Sequence, residues 1–122
     1  MASEFRPLTA AEREILDRLL AEPFPGRDEA VSQLASCRVR RCDDEHCASL
    51  EFEVPNGDPI PNSAAHDVIV PVEGLAMDTD GIPIDILLFH RNGLLRDLEF
   101  VVYSDRMKRM PLAGEIEITR RD

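Results

Sequence analysis

Ile82-Pro-Ile-Asp-Ile-Leu-Leu-Phe-His-Arg-Asn-Gly-Leu-Leu-Arg-Asp-Leu-Glu-Phe-Val-Val102 decides the fold. Two runs rich in aliphatic and β-branched residues flank Asn92-Gly93, the pattern of a β-hairpin. A two-residue type I′ turn would pair Arg91 with Leu94. Under strict alternation, Ile82, Ile84, Ile86 and Leu88 would then share a face with Asp97 and Glu99. A three-residue loop, Arg91-Asn92-Gly93, with Gly93 left-handed as the G1 bulge, instead pairs Ile86 with Leu98, Ile84 with Phe100 and Ile82 with Val102. One face becomes wholly apolar, which selects the second register.

That register sets Asp85 directly across from Glu99, with Asp97 beside Leu87 one pair further on. Like charges placed opposite each other cost some tenths of a kcal/mol. A compensating positive charge is therefore expected. Arg38 and Arg40 on a neighbouring strand are the simplest donors, and a basic partner or a cation is the other.

Upstream, Thr9 and Glu12 form a T-x-x-E capping box that opens a helix from about Ala10 to Ala21. Ile15, Leu16, Leu19 and Leu20 make its inner stripe, and Pro23 and Pro25-Gly26 end it. A shorter helix is expected from Asp28 as N-cap, with Ala30, Val31, Leu34 and Ala35 inward. From Cys37 the period becomes two. Cys37, Val39 and Arg41 alternate with Arg38 and Arg40, Asp43 to His46 form a turn, and Leu50 to Val54 form a second strand paired with the first. Pro55 to Asp67, with three Pro and two Asn, reads as a long loop. Loops of that length are functional or disordered, and a mobile connection is the simpler expectation. Val68 to Val72 is a β-branched run, Asp78-Thr-Asp-Gly81 a turn, and Gly114 to Ile118 a short last strand or an extended tail.

These elements predict one α+β domain over residues 1–122, with one or two N-terminal helices packed on an antiparallel sheet of about five strands. At 122 residues and 43 % hydrophobic content, the chain can build one modest core. No run approaches the roughly 18 apolar residues needed to cross a bilayer, and the first residues lack a secretory pattern, so a cytoplasmic location is expected and no membrane partner. Three cysteines cannot close a disulfide framework, which agrees with a reducing compartment. One Lys against thirteen Arg points to a GC-rich bacterial genome. The net charge of −10 is spread along the whole chain and repels phosphate backbones, so no nucleic-acid partner is expected. A basic protein would be attracted.

No complete catalytic or cofactor signature is present, and neither a cofactor nor a metal is expected. Cys37, Cys42, His46 and Cys47 are suitable zinc ligands by type, but their spacing departs from paired knuckles, and adjacent His46-Cys47 converge poorly on one ion. Asp78-x-Asp80-Gly81 begins like a calcium loop, yet the twelfth position is Phe89 where Glu is needed. His46, His66 and His90 lie in or beside turns without a visible triad. Glu51 and Glu53 share a strand face, as ordinary solvent-facing alternation does. Arg106, Lys108 and Arg109 form a basic patch that reads as a solvated turn.

The stretch from Asp80 to Asp105, together with Arg6 to Leu16 read as R-x-L-T-x-x-E-x-x-[IL]-L, resembles a family of small uncharacterised bacterial domains, the DUF6984-type family. The resemblance covers about a third of the chain and leaves out the central Cys-rich segment. Hairpins with the pattern G-x-L-x-x-L-E, here Gly93 to Glu99, also occur in proteins suspected of toxin immunity, so the resemblance implies a non-catalytic role. The expected function is a non-enzymatic protein-binding domain, an immunity-like inhibitor of a basic partner, with Asp85, Asp97 and Glu99 as the partner-binding surface. The alternative is a small ligand-binding domain or enzyme with a pocket near the 55–67 loop, which should gather His66 with carboxylates.

Overall fold

The computed structural model describes residues 4–42 and 48–120. Helices α1 (Ala10–Leu19) and α2 (Arg27–Leu34) precede strands β1 (Arg38–Arg41), β2 (Leu50–Glu53), β3 (Val68–Met77), β4 (Pro83–Arg91) and β5 (Leu94–Val102). A 3-10 turn, Ala113–Glu115, leads into β6 (Glu117–Arg120). The strands form one antiparallel sheet in the order β1-β2-β5-β4-β3-β6. The fold is the expected α+β arrangement. Its sixth strand pairs along β3, where an extended tail was the other option. No helix among the described residues is long and apolar enough to cross a membrane.

Both helices lie on one face of the sheet. Ile15, Leu16 and Leu19 of α1 and Ala30 and Leu34 of α2 are buried with Val39, Leu50, Phe52, Val72, Ile84, Ile86, Leu88, Leu98 and Phe100. Gly74 permits the close approach of α1. A Cβ there would stand 2.8 Å from Ile116 Cγ2 and 3.3 Å from Leu19 Cδ2. α1 starts where the capping box puts it. The Glu12 N–H donates to Thr9 Oγ1 at 3.2 Å, and the Thr9 N–H donates to Glu12 Oε1 at 2.9 Å. Arg6 adds a two-pronged bond to the same carboxylate at 2.8 and 2.9 Å. Its backbone pairs with Val39, fastening the helix start to the edge of the sheet. α1 ends at Leu19, two residues before the expected stop, because the chain already turns at Leu20 ahead of Pro23.

α2 differs more from expectation. Its N-cap is left-handed Gly26 rather than Asp28, and Val31 and Ala35 face outward. Gln33 takes the inner position instead, fully buried. Its Nε2 donates to the carbonyls of Asp58 (2.8 Å) and Gly93 (2.7 Å), and its Oε1 accepts from the Leu95 N–H at 2.8 Å. A polar residue in the core is tolerated here because the amide is satisfied at both ends.

The hairpin register is two residues from the expected one. Asn92 (φ 53) and Gly93 (φ 82) are both left-handed, as a type I′ turn requires, and Arg91 pairs with Leu94. A bulge at Arg96 then shifts the pairing by one, giving Leu88↔Leu98, Ile86↔Phe100 and Ile84↔Val102. The wholly apolar face is thus reached by a two-residue turn with the bulge at Arg96, not by a three-residue loop with the bulge at Gly93. Asp85 consequently faces Val101, and Glu99 faces Leu87, so the expected Asp85–Glu99 opposition does not occur.

Two measurements test this framework. Gln33→Leu leaves the Leu95 N–H and the Asp58 carbonyl without their partner and should lower stability in denaturant unfolding by about 2–4 kcal/mol. Val31→Ala, on the outer side of the same helix, should change it by less than about 0.5 kcal/mol; equal effects would mean the buried amide bonds do not form. For Glu12, burial raises the carboxyl pKa, but the Arg6 guanidinium and the Thr9 N–H and hydroxyl outweigh it and hold the group below its usual 4.5. A depressed folded-state pKa gives stability that is full above about 4.5 and lost as pH falls through the lower folded value. Glu12→Ala should therefore cost about 1–3 kcal/mol at pH 7, and the deficit should shrink steadily on acidification below that range.

Candidate functional site

Neither described helix packs on the opposite face of the sheet, where Phe5 stacks over Arg40 near the β1 edge and Tyr103 reaches Asp85. Alternation assigns to it Arg38 and Arg40 of β1, Glu51 and Glu53 of β2, Glu73, Leu75 and Met77 of β3, Asp85, Leu87, Phe89 and Arg91 of β4, Asp97, Glu99 and Val101 of β5, and Glu117 and Thr119 of β6. The three residues singled out in the sequence, Asp85, Asp97 and Glu99, do lie together on this face. Asp85 and Asp97 are half-buried and Glu99 is exposed. Leu75, Leu87, Phe89 and Val101, all half-buried, interleave with the acids.

The arginines expected to neutralise the hairpin acids do not reach them. β2 lies between β1 and β5, and it brings another acid, Glu51, directly across from Asp97. Arg40 pairs with Glu51 at 2.9 Å and stacks over Phe5 at 4.4 Å, while Arg38 donates to the Phe5 carbonyl. Burial pushes the Asp97 carboxyl above its usual range. Arg96 opposes that rise, while Asp67, Glu51 and Glu99 add to it. Asp85 accepts a hydrogen bond from the Tyr103 hydroxyl, which raises the Tyr103 pKa. The centre of the face therefore remains acidic.

A second feature lies on the helix side. Pro71 interrupts β3: between Ile69↔Phe89 and Glu73↔Leu87 the register slips, with Val70, Pro71 and Val72 spanning the place of Leu88 alone. Proline has no N–H to give the ladder, so an irregularity is expected there. A cleft of about 320 Å³ opens beside it, lined by Phe24, Pro25, Ile60, Pro61, Asn62, Val68, Ile69, Val70, Pro71, His90 and Arg120. His90 is only 3 % exposed, and its Nδ1 is enclosed without a hydrogen-bond partner. Burial pushes its pKa below the usual histidine value.

The 55–67 loop borders this cleft and is anchored rather than loosely strung. Ile60 N–H donates to the Gly93 carbonyl (2.8 Å), Asn92 N–H to that of Ala64 (2.7 Å), and Arg91 pairs with Asp67 (2.8 Å). Ser36 exchanges hydrogen bonds with Asn56, and the Asp58 N–H donates to Ser32 Oγ. The pocket expected near the loop is present, but His66 is exposed outside it and no carboxylate lines it. His90 takes the place that His66 was expected to fill. Its clue in the sequence was its phase, since it continues the inward series Ile84, Ile86, Leu88.

The remaining motifs resolve into structure. Asp78-Thr-Asp-Gly81 is a turn in which the Gly81 N–H donates to the Asp78 carbonyl at 2.9 Å. Lys108 satisfies both carboxylates, its N–H bonding Asp78 at 2.7 Å and its ammonium pairing Asp80 at 3.0 Å. Arg109 pairs with Glu115, so most of the basic patch is spent within the chain. Cys37 is a buried free thiol whose pKa burial raises, with Arg13 opposing. Cys42 is disulfide-bonded, so the odd cysteine count does not leave every thiol unpaired. His46 and Cys47 lie outside the described residues, as does the turn expected at Asp43 to His46. Among the described residues no three potential ligands gather around a metal position.

A family model described as a domain of unknown function (DUF6984) matches residues 5–110. The match takes in the Arg6–Thr9–Glu12 lock, the hairpin and also the Cys-rich segment, most of the chain where the motifs alone suggested a third. No curated protein and no solved structure matches the chain. From Arg6, Thr9 and Glu12 at the helix start to Gly93 at the turn, the chain belongs to the DUF6984 family.

Proposed function

We propose that this chain is a non-enzymatic, cytoplasmic protein-binding domain that docks a basic partner on its open sheet face, in the manner of an immunity-like inhibitor. One observation carries the reading: the uncovered face alternates carboxylates with half-buried apolar side chains, and its basic residues stand mainly at the β1 edge. Leu87, Phe89 and Val101 supply apolar area to bury, while Asp85, Asp97 and Glu99 around them favour a positively charged surface. Such a field speeds encounter with a basic partner and repels acidic ones.

Capture from a lysate of the source cells tests it with three immobilised proteins. These are the wild type, Asp97→Lys/Glu99→Lys, and a control with the same charge change on the solvent face of α1, Glu14→Lys/Asp17→Lys. Wild type and control should retain the same basic proteins, and the face variant should lose them at least about tenfold. Retention by the wild type should also fall as salt is raised towards about 0.5 M, roughly three times physiological ionic strength. Because Glu99 is exposed, Glu99→Lys alone provides a variant that leaves the fold intact. Undiminished capture by both face variants would remove this surface from consideration.

A further inference from the structure

We infer that the cleft beside Pro71 is a binding site for a small ring compound that carries one hydrogen-bonding group, with His90 as its polar anchor. The site is built on the helix-covered side of the sheet, so it stands apart from the acidic face and does not depend on it. Three observations converge on it.

The first is shape. A volume of about 320 Å³ lies at the lower end of the range for small-molecule pockets. The irregularity at Pro71 forms one wall and the 55–67 loop another. Gln33 and the Gly93 carbonyl fix that loop through Asp58 and Ile60. The cleft is therefore preformed, which lowers the ordering cost of binding.

The second is lining chemistry. Phe24, Ile60, Val70 and the rings of Pro25, Pro61 and Pro71 give apolar walls without a carboxylate, and Asn62 and Arg120 complete the lining with polar groups. With Arg120 and no carboxylate in the lining, the cleft disfavours a cation, and its apolar walls suit a ring better than a sugar.

The third is the anchor. His90 is almost wholly buried, lines the cleft, and has an Nδ1 that no protein group bonds. A neutral imidazole offers one donor and one acceptor, and leaving either buried and unmet costs about 1–3 kcal/mol. The neighbouring core positions Ile84, Ile86 and Leu88 are aliphatic, so packing alone did not require an imidazole at this end of β4. Nδ1 is sealed in this conformation, so a ligand hydroxyl or ring N–H recovers that cost once the imidazole turns about its Cβ–Cγ bond to present Nδ1 to the cleft, and the walls bury the remainder of the ring.

The test uses the full chain, isotopically labelled, titrated with phenol and with toluene, which differ by the hydroxyl alone, and followed by two-dimensional NMR. Phenol should shift the resonances of His90, Ile60 and Val70 saturably, with an affinity at least about tenfold above that for toluene. His90→Phe should erase the preference by bringing the two probes together. Val68→Phe, across from His90 on β3, should block both. If His90→Phe does not fold, the phenol–toluene comparison on the wild type still decides. Equal shifts with the two probes, shifts centred away from the cleft, or no shifts would each overturn the assignment.

Discussion

The buried amide of Gln33 is the constraint on which the arrangement rests. It lies on α2, yet its three bonds end on the 55–67 loop, the turn carbonyl of Gly93 and the Leu95 N–H of β5. Asp97 is the last β5 residue paired with β2, so the Leu95 N–H lies beyond the ladder and needs another acceptor. Gln33 supplies it, and with its other end fixes the carbonyl that also receives the Ile60 N–H. One side chain thus holds together a helix, a loop and a hairpin that the sheet alone would not join. Gly93 is suited to its place twice over: its backbone is left-handed, and a Cβ would stand 2.7 Å from Pro59 Cβ.

Both candidate surfaces follow from the register that this clamp secures. The bulge at Arg96 returns Leu98 and Phe100 to the inner face after a turn that would otherwise have left Asp97 and Glu99 there. His90, the last inward residue of β4, is carried to the end of the core, where the slip at Pro71 leaves space in front of it. The acids are carried to the uncovered side, where β2 adds Glu51 to them.

Much of this was legible in the sequence, for identifiable reasons. The T-x-x-E box fixed the start of α1, since each of its hydrogen bonds is made within four residues. The inward set of the hairpin followed from its period of two and the need for an apolar core. The turn was misread because alternation was assumed to run unbroken from Gly93 to Val102. The spacing of Leu95 and Leu98, three apart and both buried, is the mark of a bulge. Gln33 could not be found from helix periodicity, because its justification lies in partners at a distance of 25 to 62 residues along the chain. The strand order was equally hidden. Without it, Arg38 and Arg40 looked like neighbours of the hairpin acids, whereas β2 separates them.

The register is the central claim, because the bulge at Arg96 and the Leu95 N–H bond to Gln33 both depend on it. Interstrand nuclear Overhauser effects across the hairpin measure it directly. The account predicts backbone contacts joining Ile84 with Val102, Ile86 with Phe100 and Leu88 with Leu98. Contacts joining Ile84 with Phe100 and Ile86 with Leu98 would contradict it, because they would set Asp85 against Glu99 and replace the turn and bulge with a three-residue loop.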